Sequence, residues 1–163
     1  EDLFFVVPAD HKISNSHQYQ ENIKAALSLA KQHKIVCLGK KPIFPATAYG
    51  YIQAAKNTIL AFHEKPDMQT AQEYLASKNY FWNLGIFCFT KKALVQEAKT
   101  YCKGSYLAVK EAFEKQIVYE DRVYIDREAY LKTESTSIDY AIMNQLQNGG
   151  FVQAQFDWPA CCA

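Results

Sequence analysis

The chain has 163 residues, 49% of them apolar and 21% charged, and a net charge of +1. That balance excludes a disordered segment, and the lack of a basic block argues against a nucleic-acid partner. One domain spanning residues 1–163 is expected, long enough to bury roughly 70% of the surface of its unfolded chain, with no apolar run of membrane length.

The first run, Leu3 to Val7, is apolar, β-branched and aromatic, and is closed by Pro8. It reads as a strand buried on both faces inside a parallel sheet. Asp10 and His11 follow at its carboxyl end, the edge where open α/β sheets bind ligands. Asp10 is there either as a turn former or as a catalytic carboxylate. Tyr19, Ile23, Ala26, Leu27 and Ala30 have helical spacing within Ser14–Lys34, with Ser14, Asn15 or Ser16 as cap. Ile35 to Gly39 is a second buried strand, so the opening is a βαβ unit crossing over into a parallel sheet.

Pro42 and Pro45 interrupt regular structure, and extended runs follow at Tyr49–Ile52 and Thr58–Phe62. Asp67 caps a helix over Met68–Ser77, and Gly85 to Phe89 is a further buried strand. Lys91 to Glu120 is helical with a break at Lys103–Ser105, and a short helix is expected at Arg127–Leu131. Ser137 caps a last helix, Asn148–Gly150 ends it, and Phe151 to Phe156 is the final strand. Alternation of strands and helices predicts an α/β fold with a mostly parallel sheet and helices on both faces. The absence of an initiator Met, together with the immediate start on a strand, reads as a fragment incomplete at its N-terminus. Cysteines at 37, 88, 102, 161 and 162 are odd in number and lack CxxC spacing, which reads as reduced thiols in a cytoplasmic protein.

Polar residues at strand ends mark where chemistry can sit. Glu64 and Lys65 follow Phe62, and Pro66 restricts Lys65 to extended backbone. A carboxylate takes two sugar hydroxyls, and an ammonium meets phosphate as a point charge. Gly50, between Tyr49 and Tyr51, lets backbone approach a ligand closely. Asn83 lies just before a glycine-containing strand. Together they suggest a hydroxyl-rich, phosphate-bearing ligand in an α/β crevice.

Five stretches in order, Val7–His11, Pro45–Ile52, Phe62–Asp67, Trp82–Phe87 and Ser137–Ala141, resemble bacterial mannose-1-phosphate guanylyltransferases, sugar-phosphate nucleotidyltransferases with a Rossmann-like nucleotide-diphospho-sugar transferase fold. The resemblance implies transfer of GMP from GTP to mannose 1-phosphate, giving GDP-mannose and pyrophosphate. It implies Asp10 as the Mg²⁺ ligand and Lys65 as the lysine that neutralises the sugar phosphate. Tyr49, Gly50, Glu64 and Asn83 become sugar contacts, and Asp139 matches a position read as local architecture. A homodimer, and a parent that also carries a mannose-6-phosphate isomerase domain, are further implications. Ala46, Ala48 and Ala160 depart from the family's pattern at or beside the site, and the family's glycine- and arginine-rich phosphate loop is missing. The alternatives are a nucleotidyltransferase for another hexose 1-phosphate and a non-catalytic sugar-phosphate-binding module.

Overall fold

A computed structural model describes residues 2–32 and 35–158. In chain order it contains β1 (Leu3–Val6), α1 (Ser16–Ala30), β2 (Ile35–Lys40), β3 (Tyr51–Ala55), β4 (Thr58–His63), α2 (Met68–Ala76) and β5 (Tyr80–Thr90). Then come α3 (Lys91–Tyr101), α4 (Lys103–Glu114), β6 (Ile117–Tyr119), β7 (Arg122–Tyr124), α5 (Arg127–Tyr130), α6 (Ile138–Ala141) and β8 (Gly150–Gln153).

The main sheet has the order β1-β5-β2-β8-β4-β3, and β3 also pairs β5, so the sheet curls back on its longest strand. It is mixed. β2 and β8 run parallel, whereas β1–β5, β2–β5, β3–β4, β3–β5 and β4–β8 are antiparallel. The expectation of a mostly parallel sheet is therefore corrected. β1 and β2 do point the same way, as a βαβ unit requires, but β5 runs antiparallel between them. A strand inserted from later in the chain changes the sheet without altering either apolar run, which is why the alternation of elements did not reveal it.

A second correction concerns the centre. β1 lies at the edge of the described sheet and alternates between half-buried and exposed residues, so it is not a strand buried on both faces. β5 fills the central role, pairing with β1, β2 and β3 along its 11 residues.

The core explains why β2 holds its place. Ile35 and Cys37 belong to one apolar cluster, with Phe62, Phe87 and Phe151, which Leu94 and Ala98 of α3 and Ile138 of α6 cover. Val36 and Leu38 belong to the other, with Leu84, Ile86 and Val152, against Ala26 and Ala30 of α1. Alternate residues of one strand thus feed both faces, and helices cover both. Each fully buried Ile, Val or Leu adds roughly 1.5–3 kcal/mol of transfer free energy.

Caps agree with the sequence at the starts of α1 and α2. The Asn15 side chain accepts from the Gln18 N–H and the Asp67 side chain from Thr70. Thr90, not expected from the sequence, caps α3 through Ala93, while the expected Ser137 cap makes no side-chain cap bond. The helical stretch after Lys91 stops at Glu114, and Ile117–Tyr124 forms a two-stranded hairpin instead. The last helix is short, α6 being followed by a 3-10 turn at Met143–Gln145.

Candidate functional site

The site forms where β5 is distorted. Pairing between β2 and β5 steps from Cys37↔Phe87 to Gly39↔Asn83, so β5 spends more residues than β2 over that stretch. Gly85 lies within it at φ +65°, a conformation that glycine adopts without strain. Bulges of this kind re-aim side chains and recur beside functional sites. Here the bulge follows Asn83 directly.

Asn83 is held by three bonds. Its backbone N–H donates to the Gly50 carbonyl at 2.7 Å, its Nδ2 donates to Asp139 Oδ1 at 3.1 Å, and its Oδ1 accepts from the Gly85 N–H at 3.0 Å. Gly50, buried, precedes β3 and leaves room for Glu64. A Cβ at residue 50 would collide with Glu64 Oε2 and would lie 3.4 Å from the Asn83 Cβ. The glycine is required by close approach of a carboxylate.

Glu64 and Lys65 leave the end of β4 together. The Glu64 side chain is 10% exposed and that of Lys65 57%, with Lys65 Nζ 3.9 Å from Glu64 Oε1. Lys65 has φ 46°, so the expected extended backbone before Pro66 is corrected to a left-handed one. A non-glycine residue in that region costs free energy and persists where surrounding structure imposes it. Pro66 and the Asp67 cap that starts α2 follow at once and leave the chain little freedom to relax.

Burial pushes the Glu64 carboxyl above its ordinary pKa, the Asp139 charge adds to that, and Lys65 offsets part of it. Burial also raises Asp139, against hydrogen bonds from its own N–H, Ser137 and Asn83 and the charge of Lys65. The Cys37 thiol is pushed well up, first by burial and then by Asp139. Gly50, Glu64, Lys65 and Asn83, anticipated from sequence, are thus brought together. Asp139 joins them as a participant that sequence reasoning left as local architecture. Its position just after Ser137 reads as an ordinary helix start, which hid its reach across to β5.

Asp10 stands apart. It lies in the turn after β1, its side chain 73% exposed and its Oδ1 3.9 Å from His11 Nε2. Among the described residues its carboxylate accepts no hydrogen bond, so the turn-capping role does not arise. The loop is nevertheless tied to β5. A Cβ on Gly85 would lie 3.3 Å from Pro8 Cγ, and His11 Nδ1 accepts from Trp158 Nε1 at 3.0 Å. Trp158 lies 5.7 Å from the Tyr49 ring and Tyr49 5.3 Å from Trp82, centroid to centroid. Tyr49 is therefore packed in an aromatic wall between Gly50 and the Asp10 loop. The sequence placed His11 beside Asp10 but gave no sign of its bond to Trp158, because that partner lies 147 positions away. Ala160 lies outside the described residues.

An arrangement of one desolvated carboxylate, one exposed ammonium and one oriented carboxamide can hold hydroxyls and a phosphate together. Residues 1–147 match the family described as nucleotidyl transferase. This chain belongs to that family. Xanthan biosynthesis protein XanB of Xanthomonas campestris pv. campestris is 36% identical over 160 residues, covering 96% of this chain and 34% of that protein. A mannose-1-phosphate guanylyltransferase of Sinorhizobium fredii is 32% identical over 162 residues, covering 96% and 32%. The chain thus spans about a third of the length of these curated relatives. A crystal structure described as mannose-6-phosphate isomerase from Helicobacter pylori superposes with a TM-score of 0.88 at 28% identity, covering 97% of this chain and 64% of that one.

Proposed function

We propose that this chain holds the sugar-phosphate side of a nucleotidyltransferase site, acting on mannose 1-phosphate and GTP in the cytoplasm. The observation that carries the reading is the convergence of Glu64, Lys65 and Asn83 around Gly50. Relatives described as mannose-1-phosphate guanylyltransferases support the choice of sugar and base. The half-buried Glu64 carboxylate accepts from sugar hydroxyls, Asn83 adds an amide, and Lys65 neutralises the sugar phosphate. Tyr49, packed against Trp82 and Trp158 next to Gly50, flanks these groups. A phosphate oxygen of mannose 1-phosphate attacks the α-phosphorus of GTP, one P–O bond forms, and the bond to the β-phosphate breaks, releasing pyrophosphate. Such a step asks mainly for positioning and charge neutralisation, so it needs no nucleophilic side chain.

Asp10 fits a share in Mg²⁺ binding. Its carboxylate is exposed and carries no hydrogen bond among the described residues, so its lone pairs are open. Among those residues no group of three or more His, Cys, Asp or Glu could form a protein cage. Mg²⁺ characteristically takes one or two carboxylates, with phosphates and water completing its shell. Bound there, it would supply charge neutralisation at the phosphates.

The test is an assay of the full-length protein with each nucleoside triphosphate against mannose 1-phosphate and other hexose 1-phosphates. The expected result is GDP-mannose and pyrophosphate from GTP and mannose 1-phosphate. Turnover with a different pair would move the reading to another nucleotidyltransferase, and binding without turnover would favour a sugar-phosphate-binding module.

A further inference from the structure

We infer that Asp139 is a positioning residue of this site, fixing the orientation of the Asn83 carboxamide on β5 and linking that amide to the Glu64 carboxylate. The inference rests on the sugar-phosphate reading above and deepens it.

A carboxamide is nearly symmetric in shape but not in chemistry, so which end faces which neighbour must be imposed. Two neighbours impose it here. The Gly85 N–H can only donate, so it selects Asn83 Oδ1, at 3.0 Å. An ionised Asp139 can only accept, so it selects Asn83 Nδ2, at 3.1 Å. A flipped amide would set N–H against N–H at one end and oxygen against oxygen at the other. Gly85 alone would not hold the ring-like arrangement, because a lone bond leaves the amide free to swing about it. With both, one Nδ2 proton and the remaining Oδ1 lone pair keep fixed directions for a ligand.

The same residue acts on Glu64 through its charge. Glu64 packs into the space left by Gly50, whose carbonyl takes the Asn83 N–H at 2.7 Å. Among the described residues, Lys65 from the loop after β4 and Asp139 from α6 act on Glu64, and Asp139 acts also on Cys37 from β2. Asp139 acts on both carboxylate and thiol as a like charge, and Lys65 opposes it. Removing the Asp139 charge therefore makes Glu64 easier to ionise.

The experiment compares Asp139→Asn with Asp139→Ala in the full-length protein. Asp139→Asn retains an oxygen that accepts from Asn83 Nδ2 but loses the charge, whereas Asp139→Ala loses both. The Ala variant should raise the KM for mannose 1-phosphate at least about tenfold while the KM for GTP stays within about twofold. The Asn variant should recover most of that loss at neutral pH, and the acid limb of its kcat/KM profile should move to lower pH. In Asn83→Ala, adding Asp139→Ala should cost little more, since the two act through one bond. Equal losses in both variants, additive losses with Asn83→Ala, or an unmoved acid limb would each overturn the inference.

The Asn83 side-chain ¹⁵N–¹H pair gives a readout independent of turnover. In NMR it should be protected from exchange in the wild type and in Asp139→Asn, and unprotected in Asp139→Ala. If the wild type shows that protection but binds no hexose 1-phosphate, the functional reading fails while the positioning role stands. An unprotected amide in the wild type overturns the positioning role itself. Should Asp139→Ala fail to fold, the near-isosteric Asp139→Asn decides through its pH profile.

Discussion

The Glu64–Asn83 cluster and the Asp10 loop lie on the same part of β5 and are built in opposite ways. At the cluster, Asn83 is bonded through its backbone and both ends of its amide, and Glu64 is pressed against a glycine. At the loop, Asp10 is 73% exposed, and the contacts that hold the loop belong to its neighbours Pro8 and His11. The difference suits what each would bind under the proposed function. Hydroxyls are told apart by directional hydrogen bonds, which demand fixed partners and partial exclusion of water. A divalent cation shared with phosphates demands open lone pairs and an anchor that lets them approach.

The largest expected effect tests the open half. Asp10→Asn in the full-length protein should lower nucleotidyl transfer by about 10³-fold, the loss of several kcal/mol of transition-state charge stabilisation. Its melting temperature should barely move, because the carboxylate is solvated and, among the described residues, accepts no hydrogen bond. Transfer at wild-type rates would remove Asp10 from the site.

Gly50→Ala tests the closed half. The added Cβ must displace Glu64, and overpacking of this kind costs roughly 1–3 kcal/mol of stability. The KM for the sugar phosphate should rise by about tenfold or more while GTP saturation changes little, as steady-state kinetics would reveal. An unchanged KM would mean that Glu64 does not meet the sugar.

A smaller effect sharpens the link between the halves. Trp158→Phe keeps an aromatic ring but deletes the Nε1–H donated to His11 Nδ1 at 3.0 Å. About 0.5–1.5 kcal/mol of stability should be lost, measured by denaturant unfolding. The Mg²⁺ concentration for half-maximal rate should rise a few-fold, with the sugar KM unaffected. A change confined to the sugar KM would instead assign Trp158 to the closed half.

The smallest effect is one of pH. Glu64 and Asp139 are raised in the folded protein, so each binds its proton more readily there than in the unfolded chain. Their contribution to stability is fully present below the unfolded carboxylate pKa and is lost as pH rises through the raised folded values. Glu64→Gln should therefore be slightly more stable than the wild type at neutral pH, with the difference shrinking towards acid. Thermal melts at several pH values would show it, and a difference that grew on acidification would contradict the burial argument.

Local residue chemistry made much of this protein legible. The β2 run from Ile35 to Leu38 is apolar at every position and could only be a buried strand. Asn15 and Asp67 cap the helices that follow them because their side chains reach the next turn's N–H groups. Glu64 and Lys65 declared themselves as polar residues at a strand end and Gly50 as a place of close approach, whereas Asn83, expected just before a strand, lies inside β5. These signals act over a few residues, so the chain carries them in plain order.

What the tertiary structure decided concerns partners far apart in sequence. β5 enters antiparallel between β1 and β2, which turns an apparent parallel sheet into a mixed one and moves the centre away from Leu3–Val6. The left-handed turn at Lys65 goes against the local preference of a residue before proline, where surrounding structure overrides it. Asp139 reaches Asn83 across 56 positions, and Trp158 reaches His11 across 147. No periodicity or spacing encodes such bonds, because they exist only after the sheet has brought its strand ends together.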